Sequence, residues 1–349
     1  MIIKSLNLEN FRSYQKKEFQ FPSGMTVVVG PNASGKTNLL EAIRLLAIGR
    51  SLRAQVEAEM INYDRELARI SGVVKDATEE KNKLTIVLTV GEVAGEKVAR
   101  KRYLVNDIGK RMMDFVGQLR CVYFGPEDLK VIFDSPAGRR GYLDSILEPV
   151  DREYHRASLS YQKGLRQRNK LLEQIRDEGR PRSILFFWNK LLLENGAIIT
   201  QKREELINFI NQQPQGFIDL KLTYDKSIIS PQRLKEYNDA ETAAGMTLVG
   251  PHRDDFQVQA EERNLHTFGS RGEQRMAVFD LKLAELEFVI QKTQERPILL
   301  LDDIFSELDH KHRKKLLKII PKQQTIITTT DIHLIEPEYR EKIEIIKLK

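Results

Sequence analysis

The segment 30–37, Gly-Pro-Asn-Ala-Ser-Gly-Lys-Thr, restricts the possible folds of this 349-residue chain more than any other feature. Before it, the short apolar and β-branched run 25–29 predicts a buried strand. After it, apolar residues recur at helical spacing over 39–47, and Gly49 is placed to end that helix. A strand, a glycine-containing loop and a helix in this order provide the context in which the pattern G-x-x-x-x-G-K-S/T forms a phosphate-binding loop.

This loop predicts a site for a nucleoside triphosphate. Its glycines let the backbone curl so that successive N–H groups, and the positive end of the helix dipole, face the phosphates. Lys36 adds a positive charge for the β- and γ-phosphates, and Thr37 offers a hydroxyl to Mg²⁺. The residues expected to hold the nucleotide are Gly30, Pro31, Asn32, Ala33, Ser34, Gly35, Lys36 and Thr37.

Composition and charge narrow the class of protein further. Hydrophobic residues make up 41% of the chain, which is enough for a core, and no segment approaches the roughly 20 uninterrupted apolar residues of a membrane span. The first residues alternate like a strand and lack a charged segment followed by an apolar one, so we expect a cytoplasmic protein.

The single cysteine, Cys121, is expected to be a buried thiol in a reducing compartment. The net charge of +6 is compatible with a polyanionic partner, and the six histidines lack the spacing of a zinc site.

The order of strand-like and helical patterns predicts two lobes, one of them split in sequence. Residues 1–125 and 245–349 alternate strands and helices, and we expect them to form the ATP-binding lobe. Residues 126–244 are mostly helical in pattern and form the second lobe. Within it, two long helices near 150–176 and 183–211 are separated by a charged segment with glycine and proline, which predicts a helical hairpin.

A second motif, residues 297–303, has the sequence Pro-Ile-Leu-Leu-Leu-Asp-Asp. Four apolar residues that end in an acid predict a buried strand that delivers a carboxylate to the C-terminal edge of a sheet, where Mg²⁺ would sit. Asp302 is placed to hold the metal, directly or through water, and Asp303 could orient or deprotonate the attacking water. An ordinary strand that ends in solvated acids would have the same sequence. The segment 306–309, Ser-Glu-Leu-Asp, follows this strand. Capping of the next helix alone would also explain its serine and aspartate.

A third motif lies at 268–275, where Ser270 and Gly272 precede a helix with regularly spaced apolar residues. A helix that begins with a small hydroxyl residue and free N–H groups provides a second anion-binding end. One nucleotide does not need two such ends from one subunit, so we expect Ser270 to cap the γ-phosphate held by the loop of another copy. A plain helix cap is the alternative explanation.

Together these motifs resemble the ABC-type ATPase heads of the SMC class. The Walker A motif would be 30–37, the S-x-G-E/Q signature 270–273, the Walker B motif 298–303 and the S-E-L-D loop 306–309. Within this class the chain is most similar to the RecF family of bacterial recombination mediators. The resemblance implies an α/β fold, an ABC-type ATPase head with mixed sheets around a P-loop core and an inserted helical lobe. Further stretches that match the family are 10–12, 49–53, 126–129, 135–136, 139–140, 142–144 and 250–253.

RecF-like proteins are ATP-dependent DNA-binding homodimers with a weak ATPase activity, and they act in recombinational repair and replication restart. The resemblance implies that this chain binds duplex DNA near single-strand gaps, or junction DNA, and helps RecO and RecR to load RecA. It also implies ATP and Mg²⁺ as ligands, held by Lys36, Thr37 and Asp302, with Asp303 in the place of the catalytic carboxylate. Ser270 would reach across the dimer. Asp309 would line the interface, and the arginines placed where this class contacts nucleotide are Arg12, Arg50 and Arg53.

Two positions depart from the pattern of the class. ABC-type proteins usually carry a glutamine at the end of the strand before the helical lobe, whereas residues 121–126 here read Cys-Val-Tyr-Phe-Gly-Pro. After the strand expected at 325–328, the class often has a histidine, whereas residues 329–331 here read Thr-Thr-Asp. The residue that senses the γ-phosphate is therefore left open, and we expect weak hydrolysis of ATP.

Clusters of lysine and arginine identify candidate DNA contacts, because such side chains neutralise phosphates without reading sequence. For each of them, a solvated helix face is the alternative. Trp188, Phe186 and Phe187 are expected to belong to the core rather than to stack on bases. The candidate contacts are Lys163, Arg166, Arg168 and Lys170 on the hairpin, and Arg139 and Arg140 before it.

The alternative function is a nucleotide-binding ATPase subunit of a transporter, which would carry the same head motifs. The long insertion between Lys36 and Ser270 and the basic charge of the chain favour the DNA-binding function. A P-loop kinase acting on small molecules would leave the helix start at Ser270 and the 306–309 loop unexplained.

Overall fold

The computed structural model of the chain describes residues 1–51, 53–54, 56–214, 216–307, 313, 316, 320–335, 340 and 343–348. The contacts between residues divide the chain into two compact units. The first unit is formed by Met1–Asp128 and Val289–Lys349, and the second by Leu129–Phe288.

The end of the second unit differs from the boundary that the sequence predicts. It lies at Phe288, whereas the predicted boundary is residue 244. The reason is packing, because Phe256, Leu265 and Leu281 are buried in the core of the second unit. Ser270 therefore belongs to the second unit and not to the unit that contains the phosphate-binding loop.

The strands are distributed over both units and are numbered here along the chain. They are β1 Ile2–Phe11, β2 Tyr14–Gln20, β3 Met25–Val29, β4 Leu67–Lys75, β5 Lys81–Thr89, β6 Glu92–Val93, β7 Glu96–Lys97, β8 Lys101–Val105, β9 Ile108–Lys110, β10 Cys121–Phe124, β11 Leu220–Asp225, β12 Asp255–Ala260, β13 Arg263–Asn264, β14 Ile298–Asp302, β15 Thr325–Thr329 and β16 Ile343–Lys347.

The α-helices are numbered in the same way. None of those in the described part of the chain is both long and apolar enough to span a bilayer. They are α1 Lys36–Ile48, α2 Met112–Phe115, α3 Lys130–Phe133, α4 Pro136–Leu147, α5 Arg152–Glu178, α6 Phe186–Asn211, α7 Pro231–Glu236, α8 Asn238–Ala244, α9 Leu265–Phe268, α10 Arg271–Thr293 and α11 Ile304–Glu307.

The first unit is built from two main sheets that share one hydrophobic core. An antiparallel sheet has the strand order β2-β1-β4-β5-β8-β9, and a parallel sheet has the order β10-β14-β15-β3-β16. Leu6 of β1, Ile43 of α1 and Leu300 of β14 belong to the same buried cluster, so the helix and both sheets contribute to it. Cys121, expected to be buried, is only partly buried where β10 begins.

The order of the parallel sheet places the functional motifs at one edge. Strands β14 and β3 lie on either side of β15, with Asp302 paired to Thr328 and Thr328 paired to Val28. The residues of β14 are buried on both faces, as expected for a parallel strand that is covered on both sides. Because all these strands run in the same direction, the loop after β3 and the acid that ends β14 meet beside Thr328.

The second unit contains the predicted helical hairpin, formed by α5 and α6. Helix α5 begins at an N-cap, where Asp151 accepts a hydrogen bond from the backbone of Tyr154, and it ends at Gly179 with a φ of 66°. The antiparallel sheet β11-β12-β13 completes this unit. Tyr154, Leu192 and Phe256 lie in its hydrophobic core.

The aromatic residues at the start of α6 are not core residues, contrary to the prediction. Phe186 is 75% exposed and Phe187 is 62% exposed, while Trp188 is half-buried with its ring edge-on to Phe187. The buried stripe of this helix continues at intervals of seven from Leu185, so the two residues after Leu185 fall outside it.

Candidate nucleotide-binding site

The phosphate-binding loop joins β3 to α1, and the helix begins at Lys36. Gly35 precedes the helix with a φ of 95°, in the left-handed region, and no side chain caps the helix. A Cβ at this position would lie 2.9 Å from the hydroxyl of Tyr14, so both the backbone conformation and the space require glycine. The N–H groups of the first helical turn are therefore left for a ligand, as a phosphate site requires.

Lys36 is held inside the loop that it belongs to. Its Nζ donates hydrogen bonds to the backbone oxygens of Gly30 and Pro31, both at 2.7 Å, and its side chain is buried. A buried ammonium bound only to neutral carbonyl oxygens lacks a counter-ion in these contacts. An anionic phosphate in the loop would supply that charge.

Tyr14 supports the loop from β2, and no sequence pattern pointed to it. Its hydroxyl donates to the backbone oxygen of Gly35 at 3.0 Å. Burial raises the pKa of Tyr14 to about 12, so this hydroxyl stays protonated at neutral pH. The hydrogen bond holds the last peptide of the loop before the helix.

Asp302 ends β14 as predicted, and hydroxyl groups contact both of its carboxylate oxygens. Oδ1 accepts hydrogen bonds from Thr37 Oγ1 at 3.2 Å and from Thr328 Oγ1 at 2.6 Å. Oδ2 accepts one from the hydroxyl of Tyr123 at 2.9 Å. The side chain of Asp302 is only 3% exposed. A carboxylate and a threonine hydroxyl at the phosphate-binding loop are the oxygen ligands with which Mg²⁺ is usually held beside substrate phosphates, so these residues fit the metal.

The pKa of Tyr123 is shifted in the direction that preserves its role as a donor. Burial raises the pKa of this hydroxyl well above its ordinary value, and the nearby charge of Asp302 raises it further. Tyr123 therefore donates to Asp302 throughout the physiological pH range. No local pattern indicates this contact, because Tyr123 reads as one apolar position of a short strand.

Asp303 has an unusual backbone for a residue other than glycine. Its φ is 53°, and its N–H donates to the backbone oxygen of Thr328 at 3.1 Å. Its Oδ1 atom is buried without a hydrogen-bond partner in the described part of the chain. The backbone oxygen of Asp303 accepts a hydrogen bond from Ser306 Oγ at 2.7 Å. A left-handed conformation of a residue other than glycine carries an energetic cost, and such residues are common at functional sites. Asp309, predicted to line a dimer interface, lies outside the described residues.

Arg12 is bound by a carboxylate that no motif identified. Its Nε and Nη2 donate to the two oxygens of Glu41 at 3.0 and 2.8 Å, which is a bidentate pair. Glu41 is buried on α1 and also accepts from Ser51 Oγ at 2.7 Å and from Arg53 Nη1 at 3.4 Å. The structure thus brings together two of the three predicted nucleotide-contacting arginines, one turn of α1 beyond Thr37.

A pocket beside Thr37 is lined mostly by charged side chains, including Arg50. Arg44 lies over the ring of Tyr123, 4.6 Å from its centroid, and Arg53 contacts Glu127 at 3.0 Å. Three arginines and two glutamates, Glu41 and Glu127, line this pocket, so its positive charges exceed its negative charges by one. This small excess beside the loop favours an anionic ligand on the first unit.

Ser270 caps α10 through a reciprocal pair of hydrogen bonds. Its N–H donates to Glu273 Oε2 at 2.8 Å, and the N–H of Glu273 donates to Ser270 Oγ at 3.3 Å. These bonds lower the pKa of Glu273. The helix cap expected as the alternative explanation is therefore present. Ser270 and Gly272 are exposed in the single chain, so the cap does not prevent contact with a second copy.

The candidate DNA contacts divide into exposed and internally bonded residues. Lys163, Arg166 and Lys170 are exposed on α5. Arg168 is wrong as a DNA contact, because it is only 2% exposed and donates to Glu241 Oε2 at 2.6 Å. The two arginines of α4 are also bonded internally, Arg139 to both carboxylate oxygens of Asp255 and Arg140 to the backbone oxygen of Asp254.

Comparison with known proteins assigns almost the whole chain to one family. The profile of the family described as RecF/RecN/SMC N terminal domain matches residues 2–346. The DNA replication and repair protein RecF of Herpetosiphon aurantiacus is 38% identical over 98% of this chain and 97% of that protein. RecF of an Exiguobacterium species is 34% identical over 100% of this chain and 98% of that protein.

A solved structure gives the same result for the fold. It is described as the recombination mediator protein RecF-ATP in the RecFOR pathway, and it has 33% sequence identity with this chain. The superposition has a TM-score of 0.87 and covers 96% of this chain and 93% of the other. The similarity therefore includes both units.

Proposed function

This chain belongs to the RecF family, and on that premise we propose that it is an ATP-dependent DNA-binding protein of DNA replication and repair. The observation that carries the proposal is the contact of Thr37 and Thr328 with Asp302 beside the phosphate-binding loop. It supports a phosphate- and metal-binding site on the first unit. The similar RecF structure is one of RecF-ATP, which supports ATP as the nucleotide.

In the proposed site, a bound Mg²⁺ would supply positive charge to the phosphates of the nucleotide. Thr37 and Asp302 would hold it, and Lys36 would exchange the carbonyl oxygens of Gly30 and Pro31 for phosphate oxygens. Asp303 would orient or deprotonate the attacking water from its position after β14. We propose a weak ATPase whose nucleotide cycle controls DNA binding.

We further propose that two copies enclose each nucleotide. Ser270, Arg271 and Gly272 are exposed at the start of α10, a helix of 23 residues. The cap uses the N–H groups of Ser270 and Glu273, so those of Arg271 and Gly272 are the ones that would bind an anion. Their place at the start of this helix supports a role opposite the γ-phosphate bound to the loop of the partner copy. ATP would then act as part of the dimer interface.

The proposed partners are duplex DNA near single-strand gaps, RecR together with RecO, and RecA indirectly. The similar RecF structure is described as part of the RecFOR pathway, which supports RecO and RecR among these partners. The proposed location is the cytoplasm, where these partners would be present. A transporter ATPase subunit, the alternative function, is not favoured, because the similarity to DNA repair proteins covers almost the whole chain.

Sedimentation analysis with and without a slowly hydrolysed ATP analogue tests the proposal. We expect the wild-type chain to be a monomer without nucleotide and a dimer with the analogue and Mg²⁺. Ser270→Arg should remain monomeric while it binds nucleotide with nearly unchanged affinity, because the new side chain blocks only the contact with the second copy.

The matched control is Ser230→Arg, because Ser230 is also an N-cap serine of the second unit, on α7. This variant loses a comparable cap and should dimerise like the wild type. A wild-type chain that stays monomeric with nucleotide would contradict the proposal, as would an equal loss of dimer in both variants. If Ser270→Arg also lost nucleotide binding, the helix start would act on the nucleotide of its own chain.

A further inference from the structure

Three hydroxyl groups from three separate elements hold the carboxylate of Asp302. Thr37 on α1 and Thr328 on β15 donate to Oδ1, and Tyr123 on β10 donates to Oδ2. Of the two donors to Oδ1, Thr37 belongs to the phosphate-binding loop, and Thr328 lies on β15, between β3 and β14. The bond to Oδ2 comes from the opposite side of β14, from the strand at the edge of the sheet.

The position of Tyr123 on its strand explains how it reaches Asp302. Tyr123 pairs with Leu300, and Asp302 follows two residues later on β14, on the same face of the sheet. The tyrosine ring must therefore lean forward along the sheet. It does so over Gly125, where a Cβ would collide with the hydroxyl and the ring of Tyr123.

The tyrosine ring is fixed from the other side as well. The guanidinium of Arg44 on α1 lies 4.6 Å from the centroid of the ring, a cation–π distance. The side chain of Tyr123 is 5% exposed, so it has little freedom to adopt another rotamer. A rigid donor is thus directed at one oxygen of Asp302.

We propose that Tyr123 is a positioning residue of the metal site, which fixes the rotation of the Asp302 carboxylate so that Oδ1 faces Thr37 and the metal. This inference rests on the proposed function, because it concerns the Mg²⁺ that would bind with the nucleotide. A carboxylate held at one oxygen only can rotate about its terminal torsion, whereas one held at both oxygens cannot. Groups that orient a metal ligand in this way typically change metal affinity about 10- to 100-fold when they are removed.

Tyr123→Phe tests the inference, because it removes the hydroxyl and keeps the ring and its contact with Arg44. The measurement is the affinity of Mn²⁺, used as the probe for Mg²⁺, by electron paramagnetic resonance in the presence of saturating ATP analogue. We expect the affinity for Mn²⁺ to fall about tenfold or more. The affinity for nucleotide without metal should stay within about twofold of the wild type, since Lys36 and the loop are untouched.

Tyr103→Phe is the matched control. Tyr103 is another tyrosine of the first unit that bonds through its hydroxyl, and it donates to the backbone oxygen of Gly49 at 2.9 Å. This variant loses one tyrosine hydrogen bond, as Tyr123→Phe does, but the lost bond does not involve Asp302. Its affinity for Mn²⁺ should therefore be unchanged. Wild-type affinity for Mn²⁺ in Tyr123→Phe would overturn the inference, as would an equal loss in both variants.

Gly125→Ala tests the same contact from a second residue and remains informative if Tyr123→Phe does not fold. The added methyl group must displace the hydroxyl of Tyr123 from Asp302. We therefore expect a loss of Mn²⁺ affinity similar to that of Tyr123→Phe, and unchanged affinity would overturn the inference.

The wild-type chain separates the hypothesis about Tyr123 from the proposed function. If it bound no Mn²⁺ with nucleotide, the proposed function would fail. If it bound Mn²⁺ and the variants bound it equally well, only the inference about Tyr123 would fail.

Discussion

Arg168 lies on the inner face of helix α5, where its charge serves the structure of the second unit. Its guanidinium donates to Asn189, Thr247 and Glu241, and the carboxylate of Glu241 is fully buried. Lys170, two positions further along the helix, points into solvent. The two residues differ in orientation on the helix, which decides whether a cation can reach a DNA phosphate.

Replacement of Arg168 separates the structural charge from the exposed ones. Arg168→Ala would leave the charge of Glu241 buried without its partner, so we expect the free energy of unfolding to fall by about 3–5 kcal/mol in urea titrations. The control is a triple alanine variant of Lys163, Arg166 and Lys170. It should stay within about 1 kcal/mol of the wild type and bind DNA more weakly. A stable Arg168→Ala variant with a selective loss of DNA binding would contradict this assignment.

At the scale of the element, the short turn 250–253 lies between α8 and the strand β12 in the chain and contacts helices α5 and α6. Gly250 has a φ of 126°, and a side chain there would collide with the hydroxyl of Tyr161. His252 accepts a hydrogen bond from this hydroxyl at Nδ1, at 2.8 Å, and donates from Nε2 to the backbone oxygen of Thr247, at 3.0 Å. Arg203 on α6 donates to the backbone oxygen of Pro251 at 2.8 Å. The turn is therefore held from both helices through polar contacts.

The neutral state of His252 predicts the pH dependence of stability. Burial lowers the pKa of His252 from 6.5 to about 4, so between these values the unfolded chain binds a proton that the folded chain does not. Stability then falls on acidification, by about 2 kcal/mol from this group between pH 7 and pH 5.

Urea titrations of the wild type and His252→Gln at both pH values measure this effect. The variant should lose about 2 kcal/mol less than the wild type over the same interval. The control is His266→Gln, because His266 is exposed in the same unit, and it should behave like the wild type. An equal acid loss in wild type and His252→Gln would show that another group titrates.

At the scale of the whole molecule, the charge distribution is the property that bears on DNA. The chain has a net charge of +6, and Lys163, Arg166 and Lys170 present cations along one exposed face of α5. Cations that are not bonded to base edges hold the phosphate backbone and release counter-ions when they do so. The binding expected from such a surface depends on salt and hardly on sequence.

DNA binding should therefore be steeply dependent on salt, tolerant of sequence and dependent on ATP. Fluorescence anisotropy of labelled duplexes of different sequence, over a series of KCl concentrations, measures the first two properties. A slowly hydrolysed ATP analogue should strengthen binding, because the nucleotide would join two copies. Equal affinity with and without the analogue would contradict the coupling of nucleotide and DNA.

The family, the fold class and the motifs that are contiguous in the chain could all be predicted from the amino-acid sequence. The similarity to RecF proteins and to the solved RecF structure confirms the first two. The loop 30–37 and the hairpin of α5 and α6 were predictable because local spacing sets a turn or a helix. Asp302 was predictable as the end of a strand, since an apolar run followed by an acid is a local pattern as well.

The side chains that surround these motifs are known only from the folded chain. Tyr123 and Thr328 reach Asp302 because the sheet places β10 and β15 on either side of β14, an order that no local pattern carries. Glu41 was hidden among the apolar residues of α1, and the burial of Arg168 follows from its contact with α8. Secondary-structure propensity and the periodicity of apolar residues are properties of a few neighbouring residues. The burial and hydrogen bonding of a side chain depend instead on which distant segments of the chain become its neighbours.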